Sequence, residues 1–118
     1  MAALVPAAYE SADLEAVTRL LAPDVRWGAP GDPSPPCTNR SQVLAWYRRG
    51  AAAGVSARVT ESSVVAGRVL VGLDVSAMAG SDGPVERWQV LTVRDGLIGE
   101  IAGFDTRDEA VAWAAGAT

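Results

Sequence analysis

An α+β domain is the fold class this sequence predicts, on three observations. Apolar residues recur at three- and four-residue spacing through much of the first 54 positions. From 55 to 104 the period changes to two, with turn dipeptides separating the runs. The 118 residues suffice for one hydrophobic core and leave no room for a second domain, so 1–118 is read as a single unit.

Each element follows in order. Leu4, Ala8, Leu14, Val17, Leu20 and Leu21 carry helical spacing over 3–21, with a break near Glu10-Ser11, which predicts two short helices joined by a tight corner. Ser11 caps the second piece, and Asp13 in its first turn suits the positive end of the helix dipole. Pro23-Asp24 stops the helix, after which Val25-Arg26-Trp27 alternates as a short strand. The segment 28–37 holds four of the seven prolines and reads as an irregular loop. Asn39 and Gln42 then have the spacing of a capping box, followed by Val43, Leu44, Trp46 and Tyr47 at helical intervals as far as 50–54.

Period-two runs at 56–65, 68–78, 85–94 and 97–104 are separated by Ala66-Gly67, the segment 80–83 and Asp95-Gly96, which predicts a four-stranded meander. Val69, Val71, Leu73 and Val75 form one apolar face, with Arg68, Gly72, Asp74 and Ser76 on the other, so the first face must be buried against the helices. A short helix at 106–115 closes the domain, capped by Asp105 or Thr106.

Composition excludes several functions. Net charge is −4, so a nucleic-acid backbone is repelled on the whole and no nucleic-acid partner is expected. All ten basic residues are Arg, which, with abundant Ala, Val and Gly, reads as bacterial GC-rich coding bias. There is no His, which removes Ser-His-Asp and Cys-His catalysis and most zinc sites, leaving Asp, Glu, Tyr or Cys as acid or base. No metal, nucleotide or other cofactor site is apparent. The single Cys37 cannot form an internal disulfide. With no signal peptide and no membrane-spanning apolar run, a cytoplasmic protein without a membrane role is expected.

Three motifs carry a family resemblance: Ser-Ala-Asp-Leu (11–14), Leu-Ala-Pro-Asp-Val-Arg-Trp (21–27), and Arg-Asp-Gly-Leu-Ile-Gly-Glu-Ile (94–101) followed by Phe104-Asp105. In this order, and with this succession of elements, the chain resembles the SnoaL-like branch of the nuclear transport factor 2-like (NTF2-like) superfamily over nearly its whole length. The resemblance implies a cone-shaped fold: a strongly curved antiparallel sheet, about three N-terminal helices covering its concave face, an elongated pocket between them, and a convex face that serves as a homodimer interface. It also implies a choice of activities, because one fold hosts many. Registered on this chain, the ketosteroid isomerase pattern places its base at Ala29, its tyrosine at Val5 and its oxyanion aspartate at Gln89. The epoxide hydrolase pattern matches one carboxylate at Asp74, with its arginine at Gly72 and its second aspartate, shared with the polyketide cyclases, at about Ala102.

Candidate site residues are read one by one. Asp74 interrupts an apolar strand; it is either an acid or base with a raised pKa or a residue of the convex surface. Glu61, Glu86 and Trp88 share a face across neighbouring strands, suited either to proton transfer beside an indole or to surface pairing with Arg58, Arg68 or Arg87. Tyr9, Trp27, Trp46 and Trp88 are expected as aromatic pocket lining, Gln89 as a hydrogen-bonding group within it, and Tyr47 as structural packing. Arg40 either binds an acidic ligand group or pairs with Asp32; Cys37 beside it is either a thiolate whose pKa Arg40 and the helix start lower or, with no His to act as partner base, a small semi-buried hydrophobe anchoring the proline-rich loop. Asp24 and Asp105 are explained by capping.

Three functions compete. The first is a cofactor-free pocket for a small hydrophobic or aromatic molecule. The second is an isomerase, cyclase, dehydratase or hydrolase using Glu61, Asp74, Glu86 or Tyr9, which requires a carboxylate inside the pocket. The third is an interaction module, which requires a filled interior and a large apolar convex patch.

Overall fold

The computed structural model describes residues 4–10, 14–29, 34–76 and 85–116. Helices α1 (Val5–Glu10) and α2 (Leu14–Leu20) lead into strand β1 (Leu21–Gly28), and helix α3 (Arg40–Ala52) follows the proline-rich segment. Strands β2 (Ser56–Val65), β3 (Arg68–Ser76), β4 (Val85–Arg94) and β5 (Leu97–Phe104) form the meander, and helix α4 (Arg107–Gly116) closes the chain. The expected cap at Ser11 with Asp13, and the turn at 80–83, lie outside the described residues.

The meander is fixed by its turns. Ala66-Gly67 and Asp95-Gly96 both hold two successive residues at positive φ (51° and 80°, 53° and 79°), the type I′ geometry whose twist matches that of the flanking strands. Successive antiparallel pairing gives the order β1-β5-β4-β3-β2 in one curved, unclosed sheet. The sheet is mixed: β1 runs parallel to β5, with Trp27 beside Ile101 and Gly28 beside Ala102. This strand begins at Leu21, earlier than helical spacing suggests, because Leu21 is fully buried and pairs with Ile98. Pro23 is tolerated because β1 is an edge strand, where a missing N–H costs no ladder bond.

α3 is set at both ends. Asn39 Oδ1 accepts the Gln42 N–H at 2.9 Å, while the Gln42 side chain reaches back to the Thr38 N–H at 2.6 Å. At the other end the Val55 N–H bonds to the Gly50 carbonyl at 2.8 Å, with Gly54 in the left-handed region (φ 81°).

Two apolar layers sandwich the sheet. Val69, Val71 and Leu73 of β3 join Leu91, Ile98 and Ile101 in a core with α1, α2 and α3, the face predicted from alternation. The opposite face is not bare: Leu70, Trp88 and Val90 are buried under Ala110 and Ala114 of α4. Burying side chains of this size contributes about 1.5–3 kcal/mol each. Trp113 packs on Phe104 at 5.7 Å, the Arg68 guanidinium lies 5.5 Å from the Trp113 ring, and Arg68 Nη1 reaches the Ala114 carbonyl at 3.4 Å. Thr106 caps α4: its hydroxyl oxygen accepts the Glu109 N–H at 3.2 Å. Among the described residues no helix is long and apolar enough to cross a membrane.

Candidate functional site

A cavity of about 810 Å³ lies between the helices and the concave face of the sheet. Its aromatic wall follows from two spacings. Trp27 alternates inward on β1, and Trp46 and Tyr47 lie three and four residues beyond the buried Val43 on α3. The Trp27 ring lies 5.3 Å from Tyr47 at a 33° tilt and meets Trp46 edge-on at 6.2 Å. Trp46 is 51% exposed, so it stands at the opening, with the Arg49 guanidinium 5.3 Å from its ring centre.

Leu73, Val75 and Ala57 form an apolar floor, with Val75 and Ala57 opposite one another in register, and Ala8 and Val17 close the helical side. One neutral polar group is set deep in it. Gln89 on β4 is 8% exposed and pairs in register with Gly103 on β5. A Cβ added at Gly103 would meet no atom within 4 Å, so open space lies beside that amide. A buried amide of this kind has room to exchange hydrogen bonds with an incoming polar group.

Charge is confined to the rim. Arg87 Nη1 donates to Asp105 Oδ1, with both side chains more than half exposed, and Arg48 and Glu109 also border the cavity. Asp105, expected as a helix cap, therefore pairs with β4 instead, and capping passes to Thr106. Among the described residues no group of His, Cys, Asp and Glu could hold a metal ion.

Of the residues singled out from sequence, Trp27, Trp46, Trp88 and Gln89 border the cavity. Tyr47 borders it too, in addition to the packing role expected of it. Trp88 turns most of its ring to the opposite face, where it lies against Gly72 and 5.9 Å from the Arg107 guanidinium; its buried Nε1 has no hydrogen-bond partner among the described residues. Tyr9 lies on α1 and its side chain is outside the described residues.

Arg40, Glu61, Asp74 and Glu86 are not among the lining residues. Arg40 opens α3. Asp74 stands in register with Arg58 on one side and Glu86 on the other, on the face opposite Leu73. Glu61 faces α4: both its oxygens accept hydrogen bonds from Arg107 at 3.0 Å, and Ser63 donates at 2.8 Å. These bonds to the ionised form hold its carboxyl below the ordinary glutamate range. Its partner is thus Arg107 rather than Arg58, Arg68 or Arg87.

Cys37 is anchored and buried. Its backbone bridges to Trp27 by N–H···O bonds of 3.0 and 3.3 Å, and its side chain is buried. Burial pushes the thiol pKa up, and the charge of Arg49 offsets this only in part, so the lowering expected from Arg40 does not occur. Val5 is fully buried in the core, and Ala29 is exposed.

The sequence alone names neither Arg87 nor Gly103 as a pocket residue, and it reads Asp105 as a cap. The available signal was alternation: Arg87 and Gln89 share a face of β4, and Gly103 and Asp105 share a face at the end of β5, once the two strands are placed in register.

The SnoaL-like domain family matches residues 2–101. No curated protein matches the chain. Among solved structures, the chain is similar to a Xanthomonas campestris protein of unknown function with a cystatin-like fold (20% identity over 92% of this chain and 90% of that one, TM-score 0.73). It is also similar to a Catenulispora acidiphila protein with a ketosteroid isomerase-like fold in complex with trimethylamine (19%, 95% and 89%, TM-score 0.67). A third is the epoxide hydrolase/cyclase-like enzyme SalBIII of pyran ring formation in salinomycin (14%, 90% and 90%, TM-score 0.68). At these identities the likeness is one of fold.

Proposed function

Since the chain belongs to the SnoaL-like domain family, we propose that it is a cofactor-free pocket protein for a small hydrophobic or aromatic molecule. The observation that carries this reading is the cavity of about 810 Å³, within the range of small-molecule sites, with an aromatic wall, an apolar floor and one buried amide at Gln89. An apolar ring system gains from burial against Trp27, Tyr47 and Leu73, and a single carbonyl or hydroxyl at its inner end meets Gln89.

The open position at Gly103 supplies the test. Titration with 2-naphthylmethanol, followed by quenching of tryptophan fluorescence and by thermal shift, should show saturable binding with a rise in Tm. Gly103→Leu places its Cβ where no atom lies within 4 Å and extends into the cavity beside Gln89, so it should remain folded and lose the binding. Absence of saturable binding by wild type across a set of neutral one- to three-ring aromatics would refute the reading.

An enzyme of the isomerase, cyclase or hydrolase type is the second reading, and one observation favours it: the carboxylates of Asp105 and Glu109 border the cavity. Among the described residues that border the cavity, no carboxylate is buried, which is why binding is placed first. The enzyme reading predicts that Asp105→Asn abolishes turnover while leaving ligand binding in place.

A further inference from the structure

The rim of the cavity holds two guanidiniums and two carboxylates, and their formal charges cancel. Their hydrogen-bonding capacities do not. Asp105 already accepts from Arg87, and Glu109 Oε1 accepts from the Thr106 hydroxyl at 2.9 Å. Arg87 uses one guanidinium N–H in that pair, from Nη1, and its Nε and Nη2 groups donate to no other described residue. Arg48, next to Tyr47 on α3, makes no ion pair among the described residues. The surplus at the rim is therefore of cationic donors, and Asp105 holds one edge of the Arg87 fork in place. Arg87 is also two residues from Gln89 on the same face of β4, so a molecule seated against the amide extends towards it.

Recognition of a cationic ligand by an aromatic cage lacks its structural basis. An aromatic cage needs ring faces set apart around a cation. Here Trp27 and Tyr47 lie against each other at 5.3 Å, and Trp46 is already covered by Arg49.

We propose that the cavity selects an aromatic carboxylic acid, its ring system against the Trp27–Tyr47 wall and its carboxylate at Arg87, with Arg87 the residue that determines specificity and Arg48 the second donor. This rests on the pocket-binding reading above. A guanidinium–carboxylate hydrogen bond at an open rim falls at the low end of charged hydrogen bonds, a preference of about tenfold, and it weakens as salt rises.

The test compares 2-naphthoate, 2-naphthylmethanol and 2-naphthylmethylamine, which share one ring system and differ in charge, by tryptophan quenching at low and at high salt. Wild type should bind the acid about tenfold more tightly than the alcohol, with the amine weakest. Arg87→Met, which keeps the apolar stem, should bring the acid to the level of the alcohol or below it, since Asp105 loses its partner, and leave the alcohol within about twofold of wild type. Equal binding of acid and alcohol by wild type, tightest binding of the amine, or a preference that survives Arg87→Met overturns the proposal while leaving the pocket reading intact. Failure of all three probes to bind overturns the pocket reading and this proposal together.

Discussion

Replacing Gly72 by alanine drives a methyl group into a space that is already full. Its Cβ would stand 2.7 and 2.8 Å from two ring carbons of Trp88 and 2.8 Å from the Thr60 hydroxyl, all well inside van der Waals contact. The hydroxyl can rotate away; the indole cannot, because Trp88 is 6% exposed between the sheet and α4. Overpacking of this kind costs about 1–3 kcal/mol. At roughly 4–5 °C per kcal/mol for a domain of this length, Gly72→Ala should lower Tm by about 4–15 °C in a scan followed by circular dichroism. If the ring is the obstacle, shortening it should relieve the clash. Trp88→Phe removes the outer ring carbons and the unpartnered Nε1 together, so in a double-mutant cycle by urea denaturation Gly72→Ala should cost at least about 1 kcal/mol less in the Trp88→Phe background. A Gly72→Ala protein within about 0.5 kcal/mol of wild type, or strictly additive costs, would refute the packing argument.

Two further outcomes follow from shifted pKa values. The carboxyl of Glu61 titrates lower in the folded chain than in the unfolded one, so its contribution is fully present above the unfolded value of about 4.3 and is lost as pH falls through the lower folded value. Glu61→Gln should therefore be less stable than wild type at pH 7, with the gap closing in acid; a pH-independent gap would show that the Arg107 pair is not its origin. Cys37 shifts the other way, its thiol pKa raised by burial. Its contribution is complete below the unfolded value of about 8.5 and declines as pH rises beyond it. Native protein at pH 8 should react with a thiol reagent far more slowly than urea-unfolded protein, and equal rates would contradict the buried placement.

What sequence could reveal divides along sequence distance. The type I′ turn at Asp95-Gly96, the Asn39 cap and the alternation from Val69 to Val75 are each encoded within a few residues, and each is legible from the chain. Leu21 reads as helical because its spacing from Val17 suits a helix, whereas its pairing with Ile98, far along the chain, makes it a strand. Leu70 sits between Arg68 and Gly72 on a face that looks polar in isolation, and only the small side chains of α4, Ala110 and Ala114, let a helix come close enough to bury it. The site divides the same way. Aromatic and amide lining could be anticipated from residue type and face, but the Arg87–Asp105 rim spans 18 positions and the Glu61–Arg107 pair 46, and neither can be placed without the strand register and the docking of α4.

The parallel pairing of β1 with β5 gives the pocket a different history from the sheet that supports it. Two connections of the meander, β2 to β3 and β4 to β5, are two-residue turns, whereas bringing Trp27 beside Ile101 closes a loop of more than seventy residues, a far larger entropic outlay. Trp27 rides on that edge strand, so the β1 side of the aromatic wall depends on the longest-range strand pairing in the fold. A loosening of β1 would displace Trp27 from Tyr47 while leaving the pairing within the four-stranded meander in place.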